Sequence, residues 1–253
     1  GRAISVALAR EAATVVLAAR SIRKLQETAE QVTHAGGKAE IVVTDLAEEE
    51  AIKNLVKVTT EKFGRLDILV NNAGVTHSAK LEETATEDWE RCIRVNARAP
   101  FILCREALPM LRKAEAAYIV NIASVVGVKG HPLQSAYTAS KHALRGMTIS
   151  LAEELRGSDV RIHLLCPGGV DTELIQTLRP DIKKDDLMQP NFSVVTLTRF
   201  LIASSSAKSV TTISAFPPAW VTCSAVSCSF RIERAARTTV AASLANATLI
   251  ALP

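Results

Sequence analysis

Tyr137 and Lys141 stand four residues apart in the run Tyr137-Thr-Ala-Ser-Lys141, and Ser124 lies thirteen residues before the tyrosine. On a helix a spacing of four puts the phenol and the ammonium on one face, one turn apart. A free phenol titrates near ~10, too high to trade protons readily at neutral pH, whereas a cation within a few ångströms favours the phenolate by roughly 1–3 units. Lys141 is therefore expected to bring Tyr137 toward a useful general acid/base range, a device that contributes about 10²–10⁴ in rate. Ser124, closing an apolar run, is placed to donate a hydrogen bond to an oxygen on which charge builds. Taken alone, a Tyr-x-x-x-Lys spacing is also what an aromatic core residue beside a solvated lysine looks like.

The elements that must hold these groups follow from hydrophobic patterning. Continuous apolar runs at Ala13–Ala19, Ala39–Thr44, Leu66–Val70, Tyr118–Ala123 and Val160–Cys166 have the length and character of strands buried on both faces. Between them lie helical patterns at Arg2–Arg10, Ser21 to His34, Glu48–Phe63, Thr86 (as N-cap) to Arg94, Pro100–Lys113 and Ser135–Arg156. Alternation of this kind predicts an α/β fold: a doubly wound, Rossmann-like parallel sheet in a three-layer α/β/α sandwich. Ligands of such sheets bind beyond the carboxyl ends of the strands, which directs attention to Arg20, Asp45, Asn71, Ser124 and Pro167.

Composition narrows the function classes. The 253 residues are 48% apolar, enough for a large core. The formal charge of +4 arises entirely after residue 186, where five basic side chains face Glu233 alone. Without a basic stripe interleaved with aromatics, no nucleic-acid partner is expected. The five cysteines are scattered with no Cys-x-x-Cys pair, so neither a metal site nor a disulfide framework is expected. No uninterrupted apolar stretch of about 18 residues exists, so no membrane partner is expected and the reading is a cytoplasmic protein. Residues 1–203 read as one domain. Residues 204–253 form an atypical C-terminal segment rich in Ser, Thr, Ala and Val, either an altered C-terminus or a strand-rich extension.

Several separated motifs occur together in order and register: Asn71-Asn-Ala-Gly74 after a strand, Asn96 in Arg-Val-Asn, Ser124, Tyr137, Lys141, and Pro167-Gly-Gly-Val-Asp-Thr172. Over about residues 1–190 the sequence thereby resembles the short-chain dehydrogenase/reductase family. The resemblance implies an NAD(P)-dependent oxidoreductase acting on a small carbonyl or alcohol substrate, with Asn96, Ser124, Tyr137 and Lys141 as the catalytic set. Tyr137 would protonate the carbonyl oxygen, Lys141 would also bind the nicotinamide ribose, Asn96 would hold a proton-relaying water, and Ser124 would orient the substrate.

Cofactor contacts implied by the same resemblance are Gly1 at the pyrophosphate, Asp45 and Leu46 at the adenine, Asn72, Ala73 and Gly74 near the adenosine ribose, and Pro167, Gly168, Val170 and Thr172 around the nicotinamide. Asp45 is equally readable as a helix-capping aspartate. At Arg20-Ser21, where an acidic side chain would select an unphosphorylated ribose, a guanidinium suits a 2′-phosphate, so NADP(H) is favoured and NAD(H) stays possible.

The family's first strand and glycine-rich turn are matched only at Gly1, which implies that the first strand is missing and leaves two sheet edges open. Leu174, Ile175 and Leu178 either line an apolar pocket or pack a lid. A 3-oxoacyl-[acyl-carrier-protein] reductase-like enzyme and a sugar or polyol dehydrogenase fit the motifs equally. The resemblance also implies a homo-oligomer, dimer or tetramer, through Pro100–Lys113 and Ser135–Arg156. The rival reading is a catalytically inactive fragment or degenerate member that serves as an oligomerisation or binding protein.

Overall fold

The apolar runs form parallel strands, and the helices between them pack on both sides of the resulting sheet. The computed structural model describes residues 1–178 and 182–190 and two further strands, 212–215 and 248–251. In chain order the elements are α1 (Arg2–Ala9), β1 (Thr14–Ala19), α2 (Ile22–His34), β2 (Lys38–Val43), α3 (Glu49–Phe63), β3 (Ile68–Asn71), α4 (Thr86–Ile93) and α5 (Ala99–Leu111). After these come β4 (Ala117–Ile122), α6 (Ser135–Glu154), β5 (Val160–Pro167), α7 (Glu173–Leu178), β6 (Thr212–Ala215) and β7 (Thr248–Ala251). Thr86 was expected to cap α4, but it is the first helical residue. Ala85 takes the cap position and offers no side-chain acceptor.

The seven strands lie in the order β2-β1-β7-β3-β4-β5-β6, all paired in parallel. Alternation along each strand divides the core. Ile119, Leu69 and Val16 face a layer built from Ile52 and Leu55 of α3, Ile102 and Leu103 of α5 and Ala152 of α6. Val15, Leu17, Ile68, Val70 and Val120 face Ile4 and Leu8 of α1 and Leu25 and Val32 of α2. The central β1 is buried over most of its length, whereas the edge strand β2 is only half covered and leaves Val43 exposed.

α1 is the first of the described elements, and the resemblance implied a missing strand before it. The two open sheet edges expected from that do not occur, because β7 lies between β1 and β3. Val16 and Leu69 both pair with Ile250, from opposite sides. A strand buried on both flanks satisfies backbone groups that would otherwise cost about as much as lost hydrogen bonds. Two strands of the segment 204–253 thus belong to the sheet. The rest of that segment, and residues 191–203, lie outside the described residues.

Candidate active site

The carboxyl ends of β3, β4 and β5 and the first turns of α6 converge on one place. β4 ends at Ile122, and Ser124 follows in extended backbone (φ −166°, ψ 163°), its Oγ accepting from Val126 N at 3.4 Å. The Ser124 hydroxyl also lies close enough to the Tyr137 phenol to act on its titration, which it lowers. Tyr137 and Lys141 come from the first two turns of α6, with the Lys141 Nζ 5.8 Å from the Tyr137 ring centroid. The chain leaving β4 presses on this helix: a Cβ at Gly127 would stand 3.0 Å from the Lys141 carbonyl oxygen, so only glycine fits without a shift.

Asn96 lies where helix α4 runs into α5. Residues Arg94–Arg98 form a π-helical turn between them, a feature common at functional sites. Asn96 is fully buried, and its amide bridges two other parts of the site. Nδ2 donates to Val75 O at 2.7 Å and to Ser140 Oγ at 2.9 Å, and Oδ1 accepts from Val75 N at 2.8 Å. Both amide hydrogens are therefore spent, and a water at this residue meets only oxygens. Gly74 packs against the same residues, for a Cβ there would stand 3.4 Å from Asn96 Oδ1 and 3.5 Å from Lys141 Nζ.

The electrostatics differ from the simple expectation. Burial pushes the Tyr137 phenol up, partly offset by the Ser124 hydroxyl; the Cys92 thiol adds to the rise. Burial also pulls Lys141, 3% exposed, down to about 8, with the Cys166 thiol acting in the opposite direction. Desolvation disfavours each charged form, and without a further ligand it outweighs the attraction of the ammonium for the phenolate. Lys141 Nζ donates to Ile122 O at 2.9 Å, its one hydrogen-bond partner among the described residues. An ammonium carries three donors. A buried cation with donors to spare suits the hydroxyls of a polar ligand, so the group at the heart of the site fits a ribose.

The remaining expected contacts lie along the same carboxyl edge. Arg20 and Ser21 follow β1; both are exposed, and Ser21 Oγ caps α2 by accepting from Lys24 N at 3.4 Å. Arg20 makes no ion pair with any described residue. Asp45 Oδ1 accepts from Ala47 N at 2.9 Å, which gives it the turn-capping job on the way into α3, and Leu46 beside it is buried. Gly1 caps α1 through its carbonyl, which receives Ser5 N at 2.9 Å. Asn72 and Ala73 continue the β3 edge, both half-buried, and Pro167 closes β5. Gly168 follows it, Val170 bridges Met188, and the exposed Thr172 donates to Val170 O at 3.2 Å. Leu174 is exposed on α7 and Ile175 is half-buried, so the first lines no closed pocket here; the Leu178 side chain lies outside the described residues.

Sequence reasoning missed Ser140, which receives Asn96 and donates to Tyr137 O at 2.7 Å, and the buried Cys166, whose thiol is pushed up by burial. It also missed Leu187 and Met188, buried residues that return onto the loop after β5. Among the described residues no His, Cys, Asp and Glu cluster could hold a metal ion. No helix among them is long and apolar enough to cross a membrane.

A parallel sheet with helices on both faces, carrying a Ser-Tyr-Lys constellation beyond its carboxyl ends, defines an α/β oxidoreductase fold. The short chain dehydrogenase family matches residues 1–183. The chain belongs to that family, whose members are NAD(P)-dependent oxidoreductases. It is 37% identical over 184 residues to a 3beta-hydroxysteroid dehydrogenase of Mediterraneibacter gnavus, covering 72% of this chain and 66% of that protein. It is 35% identical over 178 residues to the 3-oxoacyl-[acyl-carrier-protein] reductase FabG of Thermotoga maritima, covering 70% of this chain and 72% of the relative. Among solved structures, an alcohol dehydrogenase of Thermococcus sibiricus complexed with 5-hydroxy-NADP superposes with a TM-score of 0.78 at 26% identity, over 86% of this chain and 92% of that one.

Proposed function

We propose that this protein interconverts a small carbonyl compound and its alcohol, with NADP(H) preferred over NAD(H), using Asn96, Ser124, Tyr137 and Lys141. The observation that carries the reading is the buried Lys141 ammonium, with donors to spare among the described residues, 5.8 Å from the ring of the Tyr137 phenol. The nicotinamide, when bound, supplies or accepts the hydride. Tyr137 then gives its phenolic proton to the substrate oxygen, or takes it back in the reverse direction. Ser124 donates to the same oxygen as negative charge develops there. Lys141 holds ribose hydroxyls with its unspent donors and, once its charge is held by those partners, favours the phenolate of Tyr137. Asn96 clamps the loop at Val75 and the helix at Ser140, and a water bound to its oxygens returns protons to the site.

Preference for a phosphorylated ribose rests on Arg20, exposed at the end of β1 with no carboxylate paired to it among the described residues. Asp45, Leu46, Asn72, Ala73, Gly74, Pro167, Gly168, Val170 and Thr172 would line the rest of the dinucleotide path, with Gly1 at the pyrophosphate. The substrate class spans 3-oxoacyl, steroid and small alcohol or polyol groups. Fluorescence titration with NADPH and NADH is the direct test. Arg20→Ala is expected to weaken NADPH about ten- to a hundredfold, the worth of charge-assisted hydrogen bonds, and to leave NADH nearly unchanged. Equal weakening of both nucleotides, or of neither, contradicts the assignment.

We also propose a cytoplasmic homo-oligomer built on α5 and α6, whose outer faces expose the large apolar side chains Phe101 and Ile149. Light scattering at micromolar concentration is expected to give a dimer or tetramer mass, and a monomer mass would remove the proposal.

A further inference from the structure

Beneath the candidate site a line of buried polar side chains crosses from the sheet to helix α6. Asn71 and Asn121 are register partners on β3 and β4, and alternation puts both on the face covered by α5 and α6. Asn71 Nδ2 donates to Asn121 Oδ1 at 2.8 Å, Asn121 Nδ2 donates to Thr148 Oγ1 at 2.8 Å, and Thr148 Oγ1 donates to Leu144 O at 2.7 Å. Asn121 and Thr148 are 0% exposed and Asn71 2%. A hydroxyl has one proton. Thr148 spends it on Leu144 O, so it must accept from Asn121, which turns Asn121 Oδ1 toward Asn71. One hydroxyl therefore sets the direction of the whole line, and Asn71 Oδ1 is left buried with no partner among the described residues.

The placement of this line ties it to the site. Asn121 immediately precedes Ile122, whose carbonyl takes the Lys141 ammonium, and Thr148 lies seven residues, about 10.5 Å of helix, after Lys141. Two adjacent residues of β4 are thus bound to points two turns apart on α6. Attachment at two heights fixes both the slide and the rotation of the helix against the strand. Apolar packing alone, being non-directional, leaves both softer.

We infer that Asn121 and Thr148 are positioning residues that hold α6 in register on β4 and so keep Tyr137 and Lys141 over Ser124. This rests on the proposed chemistry of those three residues. Groups facing the Tyr137 phenol are Ser124 after β4, Lys141 on its own helix and Cys92 on α4. A looser α6 carries Tyr137 and Lys141 together and draws the phenol away from the Ser124 hydroxyl, whose effect is to lower its titration, so the titration rises.

The sequence holds two tyrosines, so in a Tyr118→Phe background the ultraviolet titration of tyrosinate reports Tyr137 alone. Thr148→Val removes the hydroxyl at nearly constant volume. It is expected to raise the Tyr137 titration by about half a pH unit or more, and to lower kcat about ten- to a hundredfold with little change in KM, as a small misplacement of reacting groups does. Thr148→Ser is expected to restore both.

A Thr148→Val protein that titrates and turns over like its parent overturns the proposal, as does failure of Thr148→Ser to restore. Circular dichroism checks the fold. If Thr148→Val does not fold, the same readings are taken on Thr148→Ala, and if neither folds, Thr148 serves stability alone and the proposal falls. The titration needs no turnover, so a parent that binds no nicotinamide nucleotide would sink the functional reading while the Tyr137 titration still decides the register claim.

Discussion

The Lys141 ammonium sits 5.8 Å from the centre of the Tyr137 ring and spends one of its donors on the carbonyl of Ile122. On the proposed function its position beside a buried phenol serves proton transfer; the same burial is a source of instability. A cation 3% exposed, with one hydrogen bond to the described residues, is held in the fold at the expense of its hydration.

That cost has a pH signature. The unfolded chain keeps the lysine proton to about 10.5, whereas the folded chain releases it near 8. Below about 8 both states are protonated and the penalty is present in full. Between about 8 and 10.5 the unfolded state binds more protons, so stability rises with pH across that window. Lys141→Met is expected to be more stable than the parent at pH 7, by up to about 3 kcal/mol, because each pH unit separating the two titrations is worth ~1.4 kcal/mol. The variant is also expected to lose this part of the alkaline rise. Urea unfolding of both proteins at pH 7 and pH 10 measures it; parallel behaviour of the two proteins would show that Lys141 carries no such penalty.

A second expectation concerns the strand between the two halves of the sheet. Residue 250 pairs with Val16 on one side and Leu69 on the other. Proline there removes a ladder donor and cannot be accommodated in a central strand. Ile250→Pro is expected to lower the thermal midpoint sharply, whereas Val43→Pro, at the end of the edge strand, should be far milder. Equal, small effects at both positions would remove β7 from the centre of the sheet.

Much of this arrangement was legible in the sequence, for identifiable reasons. Runs such as Thr14–Ala19 and Ala117–Ile122 are apolar at nearly every position because both faces are covered, and their observed limits differ from the expected ones by a residue or two. Ser124, Tyr137 and Lys141 were found through their types and spacing and Asn96 through the family resemblance; the fold places Tyr137 and Lys141 on one end of α6, with Asn96 bonded to Ser140 between them. β7 was not legible: four residues, Thr248–Ala251, find their partners more than 170 positions away, and nothing local announces such pairing. The π turn at Arg94–Arg98 was equally hidden, since its side-chain pattern is that of an ordinary helix.

Ser140 and Thr148 were not singled out in the sequence. Their spacing held the clue, because Ala136, Ser140, Leu144, Thr148 and Ala152 recur every four residues and form one buried stripe on α6. The expectation that Lys141 by itself lowers the Tyr137 titration was overturned by burial, which no spacing of residues encodes.

The most direct test of the central claim is Tyr137→Phe, which removes the phenolic proton and leaves the ring. NADPH binding by fluorescence and carbonyl reduction by loss of NADPH absorbance are measured on the same sample. The variant is expected to bind the nucleotide within a few-fold of the parent and to reduce a ketone substrate about 10²–10⁴-fold more slowly, the range for loss of a positioned acid. Reduction at the parent's rate with binding intact would contradict Tyr137 as the proton donor.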